Sequence, residues 1–280
     1  MSHFTVAVFT EQNGKPLEEL LTPFNENITV ERYVKATREQ LIEESKKEVH
    51  DYATTGLYAE FLKDPEKYRS ENKQHEHMNY IENEFPLRLQ WADEEHYKNA
   101  IRYYEPEEIG ENGEIHSTYN PNSKWDWYQI GGRWSGLLKL KSSALSGLRG
   151  SRSLLDKSGP LPIDMVDSAQ IKDIDFEGML QAQIQKRENL WKEAEGREDA
   201  IRYFEYGIEK GTTYKQHMKQ AGCFTTFAVI LPDGKWYEKG QMGWWACVSN
   251  EEAEWGEKYK ERFIDTAEPE WTLTIVDCHI

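Results

Sequence analysis

The segment WDWYQIGGRWSG, Trp125 to Gly136, gathers three tryptophans, a tyrosine, a glycine pair and one arginine. Indole and phenol rings stack on bases, and consecutive glycines reach backbone conformations in which N–H groups converge on an anion. Gly131 and Gly132 suit that role, and Arg133 directly after them offers a forked donor matched to phosphate or carboxylate. Trp125, Trp127, Tyr128 and Trp134 are the rings available for stacking. Together these types imply the binding of a nucleotide-like or phosphate-bearing ligand. A second reading is structural: an aromatic hairpin whose tryptophans fill a core while Arg133 pairs with Asp126.

Two further clusters carry chemistry. In GQMGWWACV, Trp244 and Trp245 are adjacent, so on a strand they point to opposite faces and a one-sided sheet can bury only one of them. The other belongs under a helix, in a pocket or at an interface, which is the strongest compositional sign of a binding surface. Cys247 shares a face with Trp245 and reads as a buried, inert thiol. In VDCHI, Asp277, Cys278 and His279 are metal-capable or nucleophile-capable. Antiparallel pairing of the first and last strands would bring His3 to His279 and create a candidate His/His/Asp metal site or a Cys–His dyad. Neighbouring strand residues face opposite ways, however, so Cys278 and His279 are poorly placed to act together. The chain contains no P-loop, GxGxxG, HExxH or GxSxG motif. No cofactor is expected, no catalytic residue can be named, and the case for binding outweighs the case for catalysis.

These residues need elements to position them. Four apolar strands, at 4–9, 224–231, 243–248 and 271–278, lie toward the chain's two ends, and none can bury its side chains alone. They are expected to share one sheet. The fold class is therefore α+β: an antiparallel sheet built from both chain ends plus the central aromatic hairpin, with inserted helices. The core domain is expected over 1–141 and 223–280, with helices of 30–102 packed on it. Residues 142–222 read as a Ser/Gly-rich exposed connection followed by a helical insertion. Ser249 and Glu252 form a capping-box pattern ahead of a helix.

Charge narrows the partners. Against 34 Lys+Arg stand 50 Asp+Glu, a net charge of −16. That field disfavours direct nucleic-acid binding and anionic membranes, while leaving room for a basic partner. Ten tryptophans and 15 tyrosines argue for a folded chain. Cys223, Cys247 and Cys278 form no disulfide framework, which suits a reducing cytosol. No stretch approaches the roughly 20 apolar residues of a membrane span. The expectation is a soluble, cytoplasmic protein, with a homo-oligomer open and a dimer the default by symmetry.

The stretches MSHFTV, YNPNSKWDWYQIGGRWSG, PDGKWYEKGQMGWW and TIVDCHI resemble an uncharacterised family of bacteriophage and prophage proteins. The resemblance implies a genomic setting and no catalytic residues. Shorter members of that family pass almost directly from KDIDF to TFAV, so Glu177 to Gly222 resembles a lineage-specific helical insertion. The setting implies an accessory protein acting in the host-cell cytoplasm. Its leading form is a counter-defence inhibitor that binds a host immune protein or sequesters a small nucleotide ligand. The alternative is a small metal- or Cys/His-dependent enzyme using His3, Asp277, Cys278 or His279.

Overall fold

A computed structural model describes residues 2–144, 146–152, 159–222, 224–243 and 247–280. The chain divides into two compact units, one of Met1–Ile28 with Asn120–Ile280 and one of Thr29–Tyr119. In the first unit the described strands form a mixed sheet in the order Trp236–Glu238, Ala228–Ile230, His3–Thr10, Thr272–His279, Trp127–Gly132, Ser151–Arg152. The fold is α+β.

The first and closing strands are antiparallel neighbours along their whole length, from His3 opposite His279 to Thr10 opposite Thr272. Each buries six successive residues. A strand covered on both faces needs such an unbroken apolar run, which VAVF and LTIV supply. On one face Ala7, Phe9, Leu273 and Ile275 pack with Met179, Trp255, Tyr259 and Phe263. On the other, Phe4, Val6, Val8, Val276 and Cys278 pack with Leu20, Leu21 and Trp125. Ala228–Ile230 runs parallel to the first strand and forms an antiparallel hairpin with Trp236–Glu238.

Several expectations change. The aromatic segment gives one strand, not a hairpin: Trp127–Gly132 pairs with the closing strand, while Leu138–Lys139 pairs with Met165–Val166. Gly131 and Gly132, at φ +79° and +58°, close the strand, paired in parallel with Ser151 and Arg152, and a turn follows. The N–H of Arg133 then bonds to the side chain of Asp277. Trp244 and Trp245, in the expected strand 243–248, lie outside the described residues. The segments flanking them, Gln241–Met242 and Val248–Ser249, form a separate antiparallel pair. Ser249 is thus part of a strand and caps no helix; the next helix is Trp255–Tyr259, and Glu252 faces Arg262. The expected exposed connection after residue 142 instead returns to the sheet. Ser168–Gln170 pairs with the closing strand, and Val166, Asp167 and Ala169 are buried.

Helices Phe176–Ala194, Asp199–Tyr206 and Tyr214–Lys219 occupy the expected helical insertion, grouped with the first unit. The unit boundaries therefore differ from the division at 141/142 and 222/223 expected from composition. In the second unit, Thr29–Ala36 is a strand paired with Ile115–Tyr119, although a helical pattern was expected from Val30. Its β-branched and aromatic residues favour the pleated form. Helix Arg38–Thr54 follows, opened by a reciprocal Thr37–Gln40 capping box, with Leu41, Ile42 and Val49 buried. Among the described residues no helix is long and apolar enough to cross a membrane.

Candidate functional site

Register across three strands builds the site. His3, His279 and Trp127 form one row, Phe4, Cys278 and Tyr128 the next, and Thr5, Asp277 and Gln129 the third. Side chains alternate between faces, so the first and third rows share the face of Ala7 and Ile275. On that face the apolar core ends at Asp277 and gives way to two imidazoles and an indole. The intervening row faces the opposite core, where Cys278 is fully buried. Burial, reinforced by the Asp277 charge, pushes the Cys278 thiol well above its ordinary range. Cys278 and His279 form no dyad. Cys247, expected to be buried, is exposed.

Asp277 has 0% exposure, yet its carboxylate is well supplied with donors. His3 Nδ1 lies 2.7 Å from Oδ1, and the Arg133 main-chain N–H donates to Oδ2 at 2.9 Å. Gln129 Nε2 lies 3.5 Å from Oδ2. An ionised carboxylate only accepts, so His3 Nδ1 carries the proton and turns Nε2 away from the pair. His279 repeats the arrangement, with Nδ1 2.6 Å from Oδ1 of Asp126. The two imidazole centroids are 5.1 Å apart at 72°, and Trp127 stands edge-on to His3 at 6.3 Å. His279 Nε2 is buried without a hydrogen-bond partner among the described residues.

The glycine pair lies against the protein's own carboxylates, although the N–H groups that bind them belong to Arg133, Gly136 and Gly150. Gly131 lies against Asp167: a Cβ placed there would stand 2.6 Å from Oδ2. A Cβ on Gly132 would overlap Asp277. Asp167, also fully buried, accepts from the N–H groups of Gly136 and Gly150 and from Ser135 Oγ. The two aspartates clamp the turn and fix where Arg133 emerges. Sequence reasoning passed over Asp167, whose signal was an acidic residue set between the apolar Val166 and Ala169 in MVDSAQ.

The remaining candidates separate. Trp125 is 4% exposed and meets Tyr128 edge-on at 5.1 Å inside the core, so it belongs to packing. Trp125 and Trp127 do not share a face, because the strand begins only at Trp127. Trp134 is partly buried against the other core cluster. Trp127 remains 47% exposed. Arg133 is exposed, and its guanidinium makes no hydrogen bond or ion pair with a described residue. Asp126, expected as its partner, holds His279 instead.

Among the described residues no cluster of three or more His, Cys, Asp or Glu side chains is arranged around a metal position. His3, Asp277 and His279 are neighbours, but His3 and Asp277 bond to each other. A separate cavity of about 900 Å³ lies beside helix Phe176–Ala194. Arg187, Lys210, Lys219, Glu209 and Glu257 line it with both signs of charge, and none of the expected site residues reaches it. No family model matches the chain, and no curated protein or solved structure matches it.

Proposed function

We propose that this chain binds a phosphate-bearing, nucleotide-like ligand over the row of His3, His279 and Trp127, with Arg133 at the phosphate. The observation that carries this reading is the shared carboxylate of Asp277, whose two oxygens hold the His3 ring and the Arg133 main chain. Two imidazoles and a half-exposed indole are neighbours on this face, and the chain of the exposed Arg133 is tied to the same buried carboxylate. Arginine supplies the phosphate contact and the indole a stacking surface. With a net charge of −16, the molecule as a whole repels anions, so selection rests on close contacts rather than long-range attraction. In the setting that the phage resemblance implies, this is sequestration of a nucleotide signal in the host-cell cytoplasm, a form of counter-defence.

Calorimetric titration with cyclic di-adenylate, ADP-ribose and inorganic phosphate tests the proposal. Binding of at least one nucleotide is expected, weakened about 10–100-fold by Arg133→Ala through loss of a charged contact. Heat-free titrations with all three would contradict it. A second reading, capture of a host immune protein, is favoured by one specific feature. Helix Asp199–Tyr206 leaves Phe204 83% and Tyr203 53% exposed. Large rings in solvent are characteristic of interfaces. That reading requires a host protein retained by the wild-type chain and lost with Phe204→Ser.

A further inference from the structure

We infer that the His3–His279 pair is an acid–base couple that hydrolyses a phosphodiester in the bound ligand, so that the site consumes its ligand as well as holding it. The inference rests on the ligand class proposed above and deepens it.

Three observations lead to it. Both imidazoles are fixed the same way, each Nδ1 on a carboxylate: Asp277 for His3 and Asp126 for His279. This arrangement sets the tautomer and leaves both Nε2 atoms as the working ends, as in catalytic histidines generally. The rings are close enough, at 5.1 Å between centroids, to serve one phosphate group. His279 Nε2 is shielded from solvent and has no hydrogen-bond partner among the described residues. Leaving a buried polar atom unpaired costs about 1–3 kcal/mol, and Trp125 Nε1 carries the same cost inside the core, so it is the paired geometry of the two rings that carries the inference. A ligand oxygen satisfies His279 Nε2 once the ring is uncovered on binding.

The step balances without an oxidant or a co-reactant other than water. His3, neutral at Nε2, takes a proton from a water molecule as the water oxygen bonds to phosphorus. Asp277, fully buried against Nδ1, stabilises the imidazolium that forms. The P–O bond to the leaving alcohol breaks, and protonated His279 gives its Nε2 proton to that oxygen. The products are a phosphomonoester and an alcohol, and water admitted as they leave carries the proton from His3 back to His279. An alkoxide leaving group needs this proton, whereas a phosphate leaving group does not, so the pair points to a diester rather than an anhydride. Arg133, exposed and with its main-chain N–H held by Asp277, is the cation available to the charge that accumulates on the phosphoryl oxygens. Asp126 and Asp277 are positioning residues: they act through the rings.

The test incubates the full chain, in the presence of a chelator, with bis-p-nitrophenyl phosphate and with cyclic di-adenylate. Binding of cyclic di-adenylate is measured separately by calorimetry. Wild type is expected to hydrolyse at least one diester faster than buffer, with a rate that passes through a maximum as pH is varied. On cyclic di-adenylate His3→Gln and His279→Gln should each slow it by about 10²–10⁴-fold, each removing a different limb of the pH profile while binding persists. His279→Gln should change little with bis-p-nitrophenyl phosphate, whose nitrophenolate leaves without a proton. Asp126→Asn, at the more exposed pair, should lower kcat about 10–100-fold with KM little changed. Circular dichroism checks that each variant is folded. Binding without hydrolysis of either diester by wild type would overturn the inference and leave the binding proposal standing. Hydrolysis undiminished in the double His3→Gln, His279→Gln chain would also overturn it. Absence of both binding and hydrolysis would end both.

Discussion

Asp277 is the residue on which the candidate site turns. Its carboxylate accepts from His3 and from the Arg133 main chain with no exposure to water. An amide at this position cannot accept through both atoms, so Asp277→Asn leaves one donor facing another. Removing one partner of a buried charged contact typically costs about 3–5 kcal/mol. The expected result is a fall in the urea midpoint of Asp277→Asn consistent with about 3 kcal/mol; an unchanged midpoint would show that the contact contributes nothing to stability. Gly132→Ala is expected to be costly for two reasons at once, a positive φ and a Cβ that meets Asp277. About 2 kcal/mol or more is expected from strain plus overlap. Gly234 also has a positive φ, +84°, but nothing lies within 4 Å of its Cβ position. Gly234→Ala should therefore cost only about 1 kcal/mol. Paired denaturation curves separate conformational strain from close approach. The sequence was a fair guide to this scale where alternation decides: His3 beside His279, and Cys278 turned away from both. It was silent on Asp126 pairing with His279 instead of Arg133, because that choice depends on where the strand begins, at Trp127.

At the scale of elements, apolar runs were legible and short polar strands were not. The first and closing strands announce themselves through six-residue buried runs, whereas Ser168–Gln170 has only three residues and one buried side chain. Its pairing is supported by neighbours distant in sequence, such as Thr274 Oγ1, 2.7 Å from Ser168 Oγ. The capping-box pattern at Ser249 and Glu252 failed for a similar reason: strand pairing with Gln241 took Ser249 first. Within the Thr29–Tyr119 unit, helices Arg38–Thr54 and Asp93–Ile101 bury His96 against Ser45, with Nδ1 3.1 Å from Oγ. Burial, helped by the Lys46 charge and opposed by Asp93, Glu95 and Glu43, holds the imidazole below its ordinary 6.5. The unfolded chain therefore takes up a proton more readily at this site than the folded one. Stability from His96 is complete above about pH 6.5 and declines as pH falls toward its folded value. Asp93 and Glu114, both held below their ordinary range, add losses at lower pH, below about 4.5. Asp93 is lowered chiefly by its hydrogen bond from Lys46, and Glu114 chiefly by backbone hydrogen bonds. Thermal melts at about pH 7.5 and about pH 5.5 should differ in wild type, and the difference should shrink in His96→Gln. An equal difference in both would refute the assignment to His96.

At the scale of the whole molecule, net charge of −16 sets behaviour that no single contact does. Self-repulsion of that size weakens as salt screens it. The melting temperature is expected to rise between about 0.02 M and about 0.5 M sodium chloride, and duplex DNA should show no retarded band with the protein at low salt. A retarded band would mean that a basic surface outweighs the overall field. Composition made this level readable at once, and the α+β class followed from the strands at the two chain ends. The division into two units was not readable, because both contain long polar helices of similar composition. The candidate site lay between these extremes: its residues were named, but the arrangement that joins them depends on the turn at Gly131 and Gly132 and on Asp167.

The most direct measurement follows the histidine ring nitrogens themselves. In the full chain with nitrogen-labelled histidine, cyclic di-adenylate is titrated while the Nε2 resonances of His3 and His279 are recorded. Both should shift with a common saturation curve, and Arg133→Ala should move that curve to higher ligand concentration. Resonances of His3 and His279 that stay fixed through saturation, while binding registers elsewhere, would contradict a ligand site built on Asp277.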